Sequence, residues 1–336
     1  MKKIILLLLA IPAILALSCQ QGMVYPPAGS YSDVVLVTET AKPSGENVAI
    51  IRALQHELNY YTKNEIQFKL SMVRASEIRK EPPTKNMVIY GVARSGEIGN
   101  VIESFIGTAA VRKVIEGNEN IFKRMNYPVT GQLTVVVTAP TRRQLVDVTR
   151  KNGALIREII EKHNRMRLRD YLLKEQKDQV RKRLKIEYGF EIGISSLYEI
   201  NQEREDVPGV EIIRRTPHRG ISVFWQKWDQ EYLALSDSTK LYNIRAELAW
   251  KMYYKDVMRR DLVSFSRDEL GNYDVIRMDG YWEKKDDIYG GPFICYFILD
   301  GYRKKLWVVD LLVYAPGFDK HILLRELMSI AESFRY

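Results

Sequence analysis

Apolar positions in this chain recur with two periods, and the switches between them mark the elements. Val34 to Val37 is a short apolar run that predicts a strand. Val48, Ile51, Leu54, Leu58 and Tyr61 follow at helical spacing behind the turn signal Pro43-Ser44-Gly45. Ile66, Phe68, Leu70 and Met72 then alternate, the mark of a strand with one buried face. After a break at Glu81-Pro82-Pro83, Met87 to Val92 predicts another strand, Ile98, Val101, Phe105 and Ala109 a helix, and Leu133 to Val137 a last strand. Gly117 to Gly131 reads as a long connection. Strand, helix, strand, strand, helix, strand is the order of the ferredoxin-like split βαβ fold, which is the expectation for residues 33–140.

The longest helical signal runs over residues 141–187, with Thr141 as N-cap, no proline, and apolar Leu145, Ile159, Met166, Leu173 and Val180. Unbroken, it would reach roughly 70 Å; Gly153 and Asn164 are the candidate break points. From residue 188 the period shortens again. Phe190 to Ile194, Val210 to Arg214 and Ile221 to Trp225 predict strands, and Leu241, Ile244, Leu248 and Met252 a helix. Four further runs, Leu262 to Phe265, Tyr273 to Tyr281, Pro292 to Leu299 and Leu306 to Tyr314, are separated by the turn signals Leu270-Gly271-Asn272, Gly290-Gly291 and Asp300-Gly301, as in an antiparallel meander. A helix over 319–334 closes the chain, with Ile322, Leu323, Leu327 and Ile330 on one face. The expected class is α+β: a ferredoxin-like N-terminal domain, a long basic helix, and a C-terminal antiparallel sheet with flanking helices over 188–336.

The first residues differ in kind. Lys2 and Lys3 precede an apolar run from Ile4 to Leu17, and small Ser18 stands before Cys19, which together make a charged n-region, an h-region and a cleavage site. The run is short for a bilayer span of about 20 residues. Leu15-Ala16-Leu17-Ser18-Cys19 resembles the lipobox of bacterial lipoproteins, which implies a signal peptide over 1–18 and lipidation of Cys19, the first residue of the mature chain. In such signals an Asp after the cysteine favours the inner membrane; Gln20 here implies the outer membrane, with the protein facing the periplasm. Several acyl chains hold stably where one binds reversibly. Residues 19–32, with scattered Gly, Pro and Ser, read as a flexible tether.

A second resemblance is carried by later blocks. Arg277-Met278-Asp279-Gly280-Tyr281-Trp282, Gly290-Gly291-Pro292-Phe293 and Val313-Tyr314-Ala315-Pro316-Gly317-Phe318-Asp319-Lys320 resemble an uncharacterised family of envelope lipoproteins, domain-of-unknown-function family 4837. Glu81-Pro82 and Tyr188-Gly189-Phe190-Glu191-Ile192 fit the same pattern. At fold level the C-terminal half is similar to the PsbP and Mog1 type. The family resemblance implies an envelope protein and supplies no catalytic residues.

Candidate chemistry is sparse. Gly91, Gly96 and Gly99 lie between a strand and a helix, where phosphate-binding loops occur, but Glu97 and Ile98 stand where a P-loop needs Lys and Ser or Thr. The histidines, His56, His163, His218 and His321, lack partners at metal-ligand spacing, and Asp286-Asp287 sits in a lysine-rich turn, so no metal and no cofactor is implied. Ser264, Ser266, Arg267 and Asp268 form a polar cluster explained by a hairpin end, and no nucleophile elbow is present. With Cys19 used for the anchor, Cys295 has no disulfide mate and reads as a small buried hydrophobe.

Charge is more telling. Of the chain's 51 Lys and Arg and 42 Asp and Glu, 15 basic and 7 acidic residues fall between Arg142 and Glu187. Arg165, Arg167, Arg169, Arg181, Lys182 and Arg183 are therefore candidates for meeting an anionic lipid, a glycan or an acidic envelope protein, against the simpler reading of a solvated helix face. Nucleic acid lies in another compartment and is not an expected partner. All five tryptophans lie in the second half: Trp225 and Trp307 read as core, while Trp228 and Trp282, flanked by charge, are candidate anchors for a partner or sugar. The expectation is a non-catalytic, lipid-anchored binding or scaffold protein. The alternatives are a hydrolase or transferase whose site forms only in three dimensions, and a carrier with an apolar cavity beneath the meander sheet.

Overall fold

The computed structural model describes residues 27–43, 45–60, 63–80, 83–204, 208–253, 256–285 and 289–336. Cys19, the leader, Glu81-Pro82 and Asp286-Asp287 lie outside the described residues.

The N-terminal half comprises β1 (Asp33–Thr38), α1 (Asn47–Leu54), the small hairpin β2 (Glu57–Asn59) and β3 (Asn64–Ile66), β4 (Lys69–Arg74), β5 (Asn86–Val92), α2 (Gly96–Ile106), α3 (Thr108–Ile115), β6 (Ile121–Met125) and β7 (Leu133–Ala139). Its five-stranded sheet has the order β4-β1-β5-β7-β6, with parallel ladders from β4 to β7 and only β6 antiparallel. This corrects the ferredoxin-like expectation, whose sheet is antiparallel. Two strands without a helix between them read as a hairpin; instead a 3-10 turn at Ala75–Lys80 carries the chain past β1 to its other side. The clue was in composition: Val34–Val37, Met87–Val92 and Leu133–Val137 are nearly unbroken apolar runs, as strands covered on both faces require. One face packs against α1 and the following long helix through Ile50, Leu54, Leu145, Ile156 and Ile160; the other packs against α2 and α3 through Ile98, Ile102, Val111 and Val114.

The basic segment is two helices, α4 (Arg142–Leu172) and α5 (Asp178–Tyr188). Neither Gly153 nor Asn164 breaks α4. A Cβ at Gly153 would lie 3.2 Å from that of Ala53, so the glycine lets α1 and α4 touch, and Asn164 donates to the Tyr31 carbonyl at 2.7 Å. The interruption falls at residues 173–177, where the Lys177 amide turns to the Ile194 carbonyl at 2.8 Å.

The C-terminal half contains β8 (Glu199–Arg204), β9 (Gly209–Arg214), β10 (His218–Lys227), α6 (Ser238–Met252), β11 (Asp256–Met258), β12 (Ser264–Leu270), β13 (Tyr273–Lys284), β14 (Gly290–Asp300), β15 (Lys305–Tyr314) and α7 (Lys320–Ala331). The sheet is antiparallel throughout, in the order β11-β13-β14-β15-β10-β9-β8, with β12 also on β13. Phe190 to Ile194, expected as a strand, is an irregular buried segment bridged to the chain end at Glu191 and Arg335. One sheet face packs on α7 and this segment, the other on α6. Beneath α6 the fully buried Arg245 grips Asp310 at 3.1 and 3.0 Å and stacks 3.7 Å over Phe293. The class is therefore α+β as expected, with α4 packed on α7 where the two halves meet.

Candidate functional site

Where the halves meet, a cleft of about 470 Å³ opens. Its floor is the β13–β14 ladder, where Gly280 faces Phe293. Side chains alternate along β13: Ile276, Met278 and Trp282 enter the core under α6, and Arg277, Asp279 and Tyr281 line the cleft. The opposite walls are Leu58 and Tyr60 after α1, Glu161 and Arg165 on α4, and His321, Leu324, Arg325 and Met328 on α7. Six lining residues, Arg277, Asp279, Gly280, Tyr281, Pro292 and Phe293, come from two of the blocks that carried the second resemblance.

The polar groups of the cleft are held in pairs. Arg277 clasps Asp279 at 2.8 and 2.6 Å and reaches Asp268 at 3.1 Å. Arg325 clasps Glu161 at 2.7 and 2.6 Å and donates to the Ser32 hydroxyl at 2.9 Å. Burial works against ionisation of Glu161, but the Arg325 guanidinium outweighs it and holds the carboxyl below its ordinary value. Burial raises the Tyr60 phenol, which stays neutral. Fixed guanidiniums with satisfied partners beside Leu58, Ile294, Leu324 and Met328 make a preorganised cleft of mixed apolar and polar lining, the general form of a small-molecule site.

Behind this wall lies a chain of contacts that the sequence did not reveal. Ser32 Oγ is 3.2 Å from His321 Nε2, and His321 Nδ1 is 2.9 Å from Glu65 Oε2. Glu65 also accepts from the backbone amides of Lys320 and His321 at 2.8 and 3.0 Å, so a carboxylate of the N-terminal half caps α7. Burial opposes the charge on Glu65, yet these donors hold its carboxyl below the ordinary value. Ser32, Glu65 and His321 are 1%, 3% and 5% exposed, and Ser32 is not among the residues lining the cleft.

The residues singled out from sequence are distributed differently. Arg165 bonds Glu332 at 2.6 Å, and Arg169 lies 3.8 Å from the same carboxylate. Arg167 is spent internally on the Asn86 and Asn164 side chains and the Lys85 and Gly131 carbonyls. These three bind the protein to itself. Arg181 pairs with Asp178 and Glu191, and Arg183 with Glu187, on α5; Lys182 beside them is exposed. Trp228 and Trp282 are 1% and 5% exposed, so neither forms the surface anchor expected; both belong to the core under α6, and Lys240 sits 3.6 Å over the Trp228 ring. Trp250 is the exposed indole. Trp307 is core, Trp225 partly buried against it.

At the glycine-rich turn, Gly96 has φ +57 and the Glu39 carboxylate accepts from the Ile98 and Glu97 amides at 2.9 and 3.4 Å. The position a phosphate would take is filled by the chain's own carboxylate. Cys295 is fully buried, and burial pushes its thiol well above the ordinary value. Of the hairpin cluster, Ser264 lines the cleft and Asp268 pairs with Arg277, while Ser266 and Arg267 are exposed. Among the described residues no group of three His, Cys, Asp or Glu could hold a metal ion, and no helix is long and apolar enough to cross a membrane.

Comparison with known proteins places part of the chain. Residues 177–333 match the model of a family described as Domain of unknown function (DUF4837). No curated protein matches the chain. Among solved structures, LpqN, involved in cell envelope biogenesis of Mycobacterium tuberculosis, is 13% identical over a match that covers 43% of this chain and 81% of that one, with a TM-score of 0.28.

Proposed function

We propose that this chain is a non-catalytic envelope protein, anchored in the outer membrane through Cys19 and facing the periplasm, that seats a small amphipathic ligand in the cleft between its halves. The observation that carries the reading is the cleft itself: about 470 Å³, lined by apolar and polar side chains together, with the Arg277–Asp279 and Arg325–Glu161 pairs fixed in its walls. Its volume lies within the roughly 300–1,000 Å³ common for small-molecule sites. Burial of Trp228 and Trp282, and a cleft on the β13–β14 floor, support the carrier alternative over the surface scaffold. A leader that ends in Ser18-Cys19 supports the anchor and the compartment.

The test uses anilinonaphthalene sulfonate, an amphipathic dye, with the intact chain and with Ser264→Trp, which puts an indole in the cleft mouth. One dye per chain, displaced in the variant, is the expected result. No saturable binding, or equal binding by the variant, would refute the cleft as a seat. Cys19→Ser tests the anchor separately: the protein should leave the membrane fraction.

A second reading, hydrolysis, is favoured by the Ser32–His321–Glu65 spacing, which has the connectivity of a nucleophilic triad. Two features argue against it. Ser32 is 1% exposed and closed off from the cleft, and its oxygen already accepts from Arg325. Covalent labelling of Ser32 by a fluorophosphonate would reverse this preference.

A further inference from the structure

We infer that the groove between α1 and the first half of α4 is a docking surface for the anionic headgroups of a phospholipid bilayer. It is lined by Arg52, Arg142, Arg143, Arg150, Lys151 and Arg157, against two carboxylates, Glu46 and Asp147. Arg142 lies 3.7 Å from Glu46, and Arg157 donates to the Ala53 carbonyl at 2.7 Å. The side chains of Arg52, Arg143, Arg150 and Lys151 are exposed and have no ion-pair or hydrogen-bond partner among the described residues. That sets them apart from the cations of α5 and the second half of α4, most of which are paired.

These cations are poorly explained by stability. Arg142 and Arg143 occupy the first turn of α4, where the helix dipole disfavours positive charge, and that turn holds no acidic residue. Like charges at Arg142–Arg143 and Arg150–Lys151 repel one another on the same face as Arg52. An arrangement that opposes local stability without an internal partner is expected where an external one is bound.

Breadth selects the partner. The groove measures about 1170 Å³, above the roughly 300–1,000 Å³ that encloses a small ligand, and its charges are spread over exposed helix faces, not gathered round one point. Spread cations suit a planar field of headgroups, each contributing on the order of 1 kcal/mol near an anionic surface. Leu155, 46% exposed one turn beyond Lys151, adds an apolar contact. The described chain enters near the far end of α4. Tyr31 is held by Asn164 and stacks near Arg167, towards the far end of α4, and the residues between Cys19 and Pro27 can reach at most roughly 30 Å. An anchor at Cys19 would thus leave α4 free to lie along the bilayer; this last point rests on the anchor proposed above, and the charge argument does not.

The test omits the anchor so that its failure stays distinguishable. A chain from Gln20 to Tyr336 keeps every described residue and carries no acyl group. It is co-sedimented with vesicles of phosphatidylcholine alone and of phosphatidylcholine with phosphatidylglycerol, at low and at physiological salt. Binding should require phosphatidylglycerol and weaken with salt. R143E/R150E/K151E should bind roughly 100-fold more weakly, at about fivefold or more per cation removed. Lys182→Glu with Arg183→Glu, the same kind of charge reversal on α5, should bind as the parent does. Since the three groove side chains are unpartnered and Arg143 sits where positive charge opposes the helix, thermal unfolding of the triple variant should come no lower than the parent's. Equal binding to both vesicles, an undiminished triple variant, or an equal loss in the α5 variant would each overturn the assignment. So would binding to inorganic tripolyphosphate without binding to vesicles.

Discussion

Arg325→Met tests whether the cleft has rigid walls. Arg325 on α7 is 4% exposed and Glu161 on α4 15%, and the two share paired hydrogen bonds of 2.7 and 2.6 Å across the junction of the halves. Charges about 4 Å apart attract by roughly 4 kcal/mol at an effective dielectric constant near 20. Removing one member also leaves the other buried and uncompensated, a change that costs about 3–5 kcal/mol. In Arg325→Met, Gln67, at 3.1 Å, is the one side-chain hydrogen-bond donor left to Glu161 among the described residues, and Ser32 loses a donor. We therefore expect a loss of about 3 kcal/mol or more in urea unfolding at neutral pH. Glu161→Met combined with Arg325→Met should recover most of it, because neither desolvation penalty then remains. Acid adds a sign test. In the parent the folded carboxyl is held below its ordinary 4.5, so the pair's contribution is complete above that value and is lost as pH falls through the folded one. Without Arg325, burial of Glu161 is opposed only by the weaker Gln67 hydrogen bond and the Arg165 charge, so its carboxyl should rise and lowering the pH toward 5 should return stability relative to the parent. A single variant that loses less than about 1 kcal/mol, or a double variant as weak as the single, would refute a wall held by this pair.

Two further outcomes follow from the same interior. His163 is 6% exposed with both ring nitrogens unpartnered among the described residues, and burial, with Arg167 and Lys123 nearby, lowers its pKa from 6.5 to about 4. Its contribution is complete above the unfolded value of 6.5 and falls away as the pH drops toward about 4, by about 2 kcal/mol between pH 6.5 and 5; His163→Met should remove that part of the pH dependence in urea melts, and an unchanged slope would contradict it. At Gly280 a Cβ would stand 2.5 Å from Phe293 Cζ and 3.1 Å from Val263 Cγ2, on the face packed under α6, so Gly280→Val must displace the core behind the cleft floor. It should lose about 1–3 kcal/mol of stability, and an unchanged thermal transition would show that this core yields.

The sequence was most legible where pattern and burial coincide. The runs at Tyr273–Tyr281, Pro292–Leu299 and Leu306–Tyr314 became β13, β14 and β15 with edges shifted by a few residues, because each turn carries its own glycine signal. Strand pairing in the N-terminal half was less legible: a strand followed by another strand can form a hairpin or pass over a neighbour, and local periodicity is the same in both. The cleft was legible in part. Arg277 and Asp279 stood in a recognisable block, but Glu161 and Arg325 are 164 positions apart and Glu65 and His321 256, and no local pattern encodes such meetings. Trp228 and Trp282 misled because flanking charges were read as exposure. In a β-strand or a tight turn the neighbours of a buried residue point elsewhere, so their polarity says little about the ring between them.

Net charge over 142–187 measured quantity, and only the fold divided it by use. Where α4 passes between the halves, its cations meet carboxylates and carbonyls from distant segments, and a desolvated guanidinium needs such partners: hence Arg165 with Glu332 and Arg167 with Asn86. Where α4 faces away from the second half, the same residue types meet water, and no compensating acid was required for folding. The excess that sequence assigned to residues 165–183 is therefore largely spent on cohesion, while the unspent charge lies some five turns earlier, at Arg143, Arg150 and Lys151. A helix that holds two halves together at one end and carries unpaired charge at the other cannot be read from a window average. Its two duties become separable only when each cation is traced to what it touches.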